Sequence, residues 1–564
     1  MSVADNSKFI ALIPDNGSEF IAEQKAIFTV NPDIGFVKGK DSYISFEIQN
    51  TDSNNRINNF FQTAGASSII QRMDIYSLAN GQLLESLQNY NLWSSIENQY
   101  LYEDEKVAQV KEGTLYPLRA FGNTQAPDSK INTLVHAGNE IFTNGVGVCS
   151  LAMIAEGSGA FPASDLVTVT TDTDVEAGAL KVMSRRYCIP LRSGIFSHFG
   201  VNEKLTPVLL LGGVKIELTF AKNERVLSRV INHRVAAGDP SATTFKKMDT
   251  HANGLACSDI TGGATRRLTT TADLWGSIQE TGLHRGAKIQ VGGNTRTVNA
   301  VIESIHRGND GADPGTANNK IFIVLTAVVA NDTGVSIFFQ DSSPSYKITN
   351  IELKLLQIVP PPQVLKGIIK ESQFDFISWD CFLDNLPVSS LSHQSEITSV
   401  ASKAKSVFTH YIDVANENNA NNPTYYTGVP PQWSFLNSVQ YFINNTLYPL
   451  RPYNPLPKAD KVVNLNELVK AFATIGLVVK KLGDARGGNL ANYTNTYLHA
   501  RELARGENFV YNLKDAEPQI RLEFENTRDQ TPEGGAAIQN VRIVNWVFSV
   551  KTIMVSKDNL QLLL

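Results

Sequence analysis

The sequence predicts a mainly β protein built as two tandem antiparallel jelly-roll barrels, with short helices in the connections and a β-rich insertion in the first barrel. Three observations lead there. Short alternating runs rich in Val, Ile, Phe and Thr dominate the chain, helical stretches are few, and one set of landmarks occurs twice in the same order. Alternation marks strands with one buried face, and a repeated order of landmarks marks a duplicated unit.

The strands come first. In chain order they are "AIFTV" (26–30), "SYISFEI" (42–48), "KIELTF" (215–220), "IFIVLTAVV" (321–329), "VSIFF" (335–339), "KITNIELKLLQIV" (347–359), "QIRLEF" (519–524) and "VRIVNWVFSVKTIMV" (541–555). Gly, Asn, Asp and Pro punctuate them. The strongest hairpin signal is Asn80-Gly81, because both residue types tolerate a positive φ. Helices are expected after it over 91–110, and again over 465–483, where Lys480-Lys481 and then Gly483 supply a C-terminal stop. The segment "HARELAR" (499–505) reads as one or two helical turns.

The repeat has three landmarks. An Asn-led turn with Leu just after it and Tyr-Asn at its close stands at Asn80 and again at Asn444. "KIELTF" pairs with "QIRLEF", and "TNIELKLLQIV" with "VNWVFSVKTIMV", the last two sharing Asn350 and Asn545. From the hairpin to the second landmark the first copy is longer by about 60 residues, and from the second to the third by about 110. Insertions of this size belong in surface loops, where closure entropy grows slowly with length. The larger runs from about 226 to 345 and holds "GAKIQV", "TVNAVIESI", "KIFIVLTAVV" and "VSIFF", enough strand for a β-subdomain of its own. Pro360-Pro361-Pro362 cannot continue a central strand and marks the border between copies. The expected division is an N-terminal arm over 1–17, a first jelly roll over 18–365 carrying the insertion, and a second over 366–564.

Composition narrows the function. With 564 residues, 42% hydrophobic and 19% charged, the chain is globular and long enough for several cores. Lys+Arg number 50 against Asp+Glu 55, a net charge of −5, so no basic excess exists for sequence-specific nucleic-acid binding. Cys149, Cys188, Cys257 and Cys381 form no CxxC pair, which argues against zinc-ribbon and thioredoxin chemistry. No signal peptide and no membrane-spanning run is read, so the sequons at Asn444 and Asn492 are expected to stay unmodified.

Candidate chemistry is sparse. "GFVKGKDS" approaches a phosphate loop, but Gly35 to Gly39 is one residue short and Asp41 stands where a magnesium-binding hydroxyl is needed; a turn leading into a strand fits better. His284 and His306 have no ligand-type partner at metal spacing, and His198 in "GIFSHFG" reads as a loop or strand residue rather than a base. Glu371, Asp375, Asp380 and Asp384 form an acidic cluster. A glycosidase needs two facing carboxylates about 5 or 6.5–9.5 Å apart, whereas Asp375 and Asp380 would face opposite sides of a strand. The ordinary reading is an irregular inter-domain segment with Phe374, Phe376, Ile377 and Trp379 packed beneath the charges. Tyr425, Tyr426 and Trp433 read as packing or interface aromatics. No catalytic, cofactor-binding or metal-ligating residue is assigned.

The sequence resembles the double jelly-roll major capsid proteins of icosahedral double-stranded DNA viruses, nearest the virophage and polinton-like group and more distantly adenovirus hexon and giant-virus capsid proteins. The residues that carry the likeness are "KDSYISFEI", "GASSIIQRMDIYSLANGQLLE" with "NYNLW", "IPLRSGIFS" with "LTPVLLLGGVKIELTF", "LNSVQYFINNTLYPLRPYNP" and "QIRLEFEN". The resemblance implies a structural protein, not an enzyme, needing no cofactor. It implies a homotrimer forming a pseudo-hexameric capsomer, touching neighbouring capsomers and penton and minor capsid proteins, in a virion shell assembled inside the host cell. Inserted loops would form outer towers, and Phe9–Ile13 in the N-terminal arm would order only by docking on a neighbour, a minor protein or an inner membrane. The tail "NLQLLL" invites the same expectation, or else packs as a strand end in its own barrel. Alternatives are a penton or fibre-like virion component and a carbohydrate-active β-sandwich enzyme, which a cleft with paired carboxylates would favour.

Overall fold

The computed structural model describes residues 7–51, 59–61, 65–100, 147–148, 184–201, 204–229, 232–234, 245–247, 255–261, 263–273, 288–292, 294–295, 297–307, 320–339, 345–359, 373–386, 392–399, 401–414, 417–418, 436–443, 446–453, 461–479, 498–504, 510–514, 519–524, 540–556 and 559–563.

The first half opens with β1 (Ser7–Leu12), β2 (Glu19–Ile21), β3 (Lys25–Val30) and β4 (Phe36–Asn50). A short β5 (Asn59–Phe61) precedes the hairpin of β6 (Ile70–Ser77) and β7 (Leu83–Gln88). Helix α1 (Tyr90–Tyr100) follows, then β8 (Gly147–Val148), β9 (Ser184–Pro190) and β10 (Val214–Phe220). After the insertion, β20 (Tyr346–Ile358) returns to the barrel. Two sheets result, one ordered β1-β20-β4-β9 with β2 also on β20, the other β3-β10-β6-β7. Alternation builds both. In β10, Val214, Ile216, Leu218 and Phe220 are buried against the other sheet while Lys215 and Thr219 are not. The Asn80-Gly81 hairpin forms as expected: Gly81 has φ 72, its N–H donates to Ser77 O, and Asn80 Oδ1 accepts from the Gln82 N–H.

The second half repeats the plan. Its strands are β21 (Gln373–Leu386), β22 (Ser392–Glu396), β23 (Ala404–Asp413), β24 (Leu436–Ile443) and β25 (Thr446–Tyr453). Helix α2 (Lys461–Thr474) leads to β26 (Leu498–Glu502), β27 (Gln519–Phe524), β28 (Val541–Ser556) and β29 (Asn559–Leu563). Its sheets run β21-β28-β23-β26, with β29 on β28, and β22-β27-β24-β25. Position by position this is the order of the first half, with β28 in the place of β20 and β27 in the place of β10. The chain is a double jelly roll. The second hairpin pairs Ile443 with Thr446, while Asn444 and Asn445 lie outside the described residues.

The insertion supplies β11 (Leu227–Arg229), which joins β5 and β8, and a hairpin of β12 (Asn232–Arg234) and β13 (Phe245–Lys247). It then forms a six-stranded sheet from β14 (Leu255–Ala256), β15 (Thr265–Asp273), β16 (Lys288–Gly292), β17 (Thr297–Arg307), β18 (Lys320–Val329) and β19 (Ser336–Phe339). Ile289, Ile302, Ile323, Leu325 and Ile337 fill a hydrophobic cluster separate from those of the barrels.

Several expectations are corrected. "HARELAR" is strand rather than helix: Leu498–Glu502 pairs with Ser406–His410 of β23, and a sheet edge in need of a partner overrides local helix propensity. Helix α2 ends at Thr474, well before Lys480. Gly476 stops it at φ 76, with Gly476 N–H on Ala473 O and Leu477 N–H on Phe472 O, the paired bonds of a Schellman cap. Helix α1 ends the described part of 91–110 at Tyr100. Asp375, Asp380 and Asp384 of the acidic cluster sit on a regular 14-residue strand, not an irregular segment. Residues Phe9 to Leu12, expected to order only against another molecule, pair with β20 of their own barrel, whereas the tail follows the second of its two readings, Asn559–Leu563 pairing with β28 of its own barrel. The matched asparagines do not match in role: Asn350 is exposed at a bulge with φ 49, whereas Asn545 is buried and bonded to Thr409.

Candidate functional site: the seam between the barrels

The outer face of the β21-β28-β23-β26 sheet is apolar, unlike a face meant for water. Trp379, Phe408, Trp546 and Phe548 project from it and belong to the same buried cluster as the interior of the first barrel, while Ile543, Val547, Val407 and Tyr411 fill the second barrel from the opposite face. Strands buried on both sides cannot stand alone in solution; this sheet needs a cover.

The cover is Trp93 on α1. Its ring centroid lies 4.6 Å from Phe548, 5.1 Å from Phe408, 5.7 Å from Trp546, 5.8 Å from Trp379 and 6.0 Å from Phe472 on α2. Phe199 adds edge contacts to Trp379 and Phe548. Trp379 Nε1 in turn donates to Gln88 O at the end of β7. Aromatic pairs at these separations contribute beyond the area they bury.

Beneath Trp93 lies a buried polar network. Glu97 follows one helical turn later and accepts from Trp93 Nε1 at 2.7 Å. Its other oxygen receives Arg192 Nε at 2.7 Å, with both side chains at most 1% exposed. Arg192 also reaches Ser67 Oγ, and His198 Nε2 lies 3.0 Å from Glu97. Burial by itself raises the Glu97 pKa, but the charges of His198 and Arg192 and their hydrogen bonds outweigh it and hold the carboxyl at about 2. A second buried carboxylate, Glu85, accepts from Gly194 N–H and Ile195 N–H and from the Ser193 hydroxyl. Burial pushes Glu85 upward against those donors. Together these bonds fix the segment 192–198 against β7 and α1. Half-satisfied buried ions are strongly destabilising, so such a network defines one arrangement of the cover.

Two glycines let the backbones touch. A Cβ at Gly194 would lie 1.8 Å from Ile377 O, and one at Gly476 would lie 2.3 Å from the Gly200 carbonyl carbon. Gly200 N–H donates to Ile475 O at 2.8 Å, tying the loop after β9 to the end of α2.

The seam also fixes relative direction. In an antiparallel barrel of this order, β4, β7 and β10 end and β6, β9 and β20 begin at one end of the first barrel, and β23, β25 and β27 end and β24, β26 and β28 begin at the matching end of the second. Arg225, just after β10, bonds Glu417, just after β23, at 2.6 Å, and Arg542 at the start of β28 bonds the same carboxylate. At the other end Lys204 donates to Asp375 O at the start of β21. Like ends meet at both places, so the barrels stand side by side with the same polarity.

The candidates raised from sequence are mostly absorbed by structure. Lys38 pairs with Asp41 inside β4 itself, so most of "GFVKGKDS" is strand rather than a turn before one. Asp375 accepts from Thr552, Asp380 pairs with Lys551, and Asp384 lies 2.8 Å from His393. Asp375 and Asp380 are thus engaged separately along one strand. His306 lies in β17, paired with Phe322. Glu371, His284, Tyr425, Tyr426, Trp433 and Cys149 lie outside the described residues. Sequence reasoning missed Glu97 and Arg192. The one local trace is that Arg192 is the sole Lys, Arg, Asp or Glu in the run Ile189–Phe199, otherwise apolar or small apart from His198; nothing in the sequence points to Glu97 as its partner.

Two equivalent jelly rolls locked by a buried aromatic seam define the class to which this architecture belongs. No family model and no curated protein matches the chain. Among solved structures it is similar to the PBCV-1 virus capsid, at 8% identity and TM-score 0.47, covering 99% of this chain and 96% of that one. It is similar to the Faustovirus major capsid protein, at 9% identity and TM-score 0.46, covering 98% and 90%. It is also similar to a chain of the Sputnik virophage, at 10% identity and TM-score 0.45, covering 99% and 88%.

Proposed function

We propose that the chain is a major capsid protein of an icosahedral double-stranded DNA virus, and that three copies form a pseudo-hexameric capsomer. One observation supports this reading above the others: each chain carries two jelly rolls of identical strand order and the same polarity, held side by side. A threefold ring of such chains presents six near-equivalent barrels, all upright, and so packs like a hexagonal tile. The six-stranded sheet of the insertion leaves from the end that bears the long connections, and on this reading that end is the outer, tower-bearing surface. The first jelly roll is taken as 18–365 and the second as 366–564, with the arm 1–17 lending β1 to the first barrel's sheet. Neighbouring capsomers, pentons and minor capsid proteins would be its partners in the virion shell, with assembly inside the host cell. The role is structural rather than enzymatic.

Negative-stain imaging with mass photometry of the purified protein tests this. Particles of three chains with a six-lobed outline are expected. A persistent monomer, or a dimer with twofold symmetry, overturns the proposal.

A further inference from the structure

The loop-bearing end of the seam carries a cleft that the capsid reading leaves without a role. It has a volume of about 260 Å³, far above the ~10–15 Å³ that a single water needs. Both barrels line it. Arg72, Arg225 and the amides Gln71, Gln88 and Asn89 come from the first, and Arg542 and Glu417 from the second. Three guanidinium groups therefore face one lining carboxylate.

Two carboxylates, Glu417 in the lining and Asp74 behind Arg72, offset part of this excess and leave one net positive charge among the five groups. Arg225 Nη2 and Arg542 Nη1 converge on the same atom, Glu417 Oε1, at 2.6 and 2.5 Å. Arg225 spends its other donors on Asn418 and Gln71, and Arg72 Nε is held by Asp74. Glu417 is nearly buried, whereas Arg72 and Arg542 keep 40% and 30% of their side-chain area open to the cleft side and solvent. Guanidinium groups are planar forks that match tetrahedral and carboxylate oxygens, and like charges drawn together are relieved by an anion of more than one charge.

We propose that this cleft binds a compact multivalent oxyanion, of which inorganic phosphate is the simplest, between Arg72 and Arg542, with Arg225 behind them. The anion bridges the two barrels and adds to the seam. Glu417 occupies part of the same positive field, so it competes with the ligand while holding the arginines in place. The cleft is complete within one chain, and the inference stands apart from the assembly proposed above.

Thermal melting and isothermal calorimetry in sodium phosphate, against sodium chloride of equal ionic strength, test the site. A saturable stabilisation by phosphate is expected. Arg72→Gln and Arg542→Gln each weaken phosphate binding about tenfold, the loss of one charge-assisted bond. Glu417→Gln tightens it, an outcome that a purely structural ion cluster does not produce. Arg542→Gln changes a partly exposed side chain and leaves Glu417 its bond to Arg225, so it serves as the variant least prone to misfold. Equal melting in the two salts, or phosphate binding undiminished in both arginine variants, overturns the proposal.

Discussion

Trp93 in the first barrel and Phe548 in the second stand 4.6 Å apart, ring centre to ring centre, with neither exposed. That contact makes the outer face of one barrel part of the core of the other. The two jelly rolls therefore share a hydrophobic interior and are expected to unfold together rather than one by one.

Replacing Trp93 by Ala tests this coupling. Truncating a large buried aromatic costs about 3–5 kcal/mol, and here the cavity opens between the barrels rather than inside one. Urea unfolding of the parent should give one transition, and Trp93→Ala should shift it down and split it in two. A single unshifted transition would show that the barrels are held by something else.

Much of this fold is legible in the sequence, because alternation and turn chemistry act locally. "KIELTF" and "QIRLEF" are strands in the expected, matching places, and Asn80-Gly81 closes its hairpin. The second barrel's doubly covered sheet is harder to read, because burial on both faces erases alternation: "NWVFSV" carries Trp546 and Phe548 outward and Val547 inward. The seam was illegible for a different reason. Glu97 and Arg192 are ordinary charged residues until the fold brings together positions 95 apart in the chain. The error at Leu498–Glu502 has the same root, since only the unfilled edge of β23 makes that segment a strand.

The Glu97–Arg192 pair should show the asymmetry of buried ions. Arg192→Met leaves Glu97 without its buried guanidinium partner and should cost about 3–5 kcal/mol. Adding Glu97→Gln to the same chain removes the stranded charge and should restore most of the loss, read as the denaturation midpoint of single and double variants. If the double variant is no more stable than Arg192→Met, the pair contributes through packing alone.

Acid should act on two residues in windows that open at different pH and overlap only below 4.5. Burial lowers the His499 pKa to about 3 from 6.5, so the folded chain holds it neutral while the unfolded chain binds a proton below 6.5. Its contribution is present above 6.5 and fades as pH falls toward 3. The depressed Glu97 contributes above 4.5 and fades only between 4.5 and about 2. Glu85, raised by burial, runs the other way, so the parent's slope alone is uninformative. The comparison that separates them is variant against parent: His499→Leu should flatten stability between 6.5 and 3, and Glu97→Gln only below 4.5. Unchanged slopes in both variants would remove these residues as the acid-sensitive groups.

Gly194 and Gly476 should tolerate no side chain, for reasons that differ. At Gly194 the added methyl meets Ile377 O of the other barrel, and at Gly476 it meets Gly200 and also a φ of 76. Relief requires the barrels to part, so Gly194→Ala should lower stability by more than the ~1–3 kcal/mol usual for an overpacked core. Gly81→Ala, where nothing lies within 4 Å of the new methyl, should cost only the strain of its positive φ. Calorimetric melting of the three variants checks the order. A loss at Gly194, which has no positive φ, no larger than that at Gly81 would mean that the closeness of the seam does not set the penalty.

Cys381 offers a direct reporter of that closeness. It lies on β21 facing the seam, where Asn89 Nδ2 donates to its sulfur, and burial pushes its thiol up to about 12. Only thiolate reacts with alkylating reagents, so the native seam should protect it. Cys257 is buried inside the insertion's own sheet, with its thiol also raised to about 12 by burial. It is an internal control, because opening the seam leaves its surroundings intact. Iodoacetamide labelling read by site-resolved mass spectrometry should find both protected in the parent. In Trp93→Ala, Cys381 should label many times faster while Cys257 stays protected. Equal acceleration at both sites would mean global unfolding, and no acceleration at Cys381 would mean that the seam does not depend on Trp93.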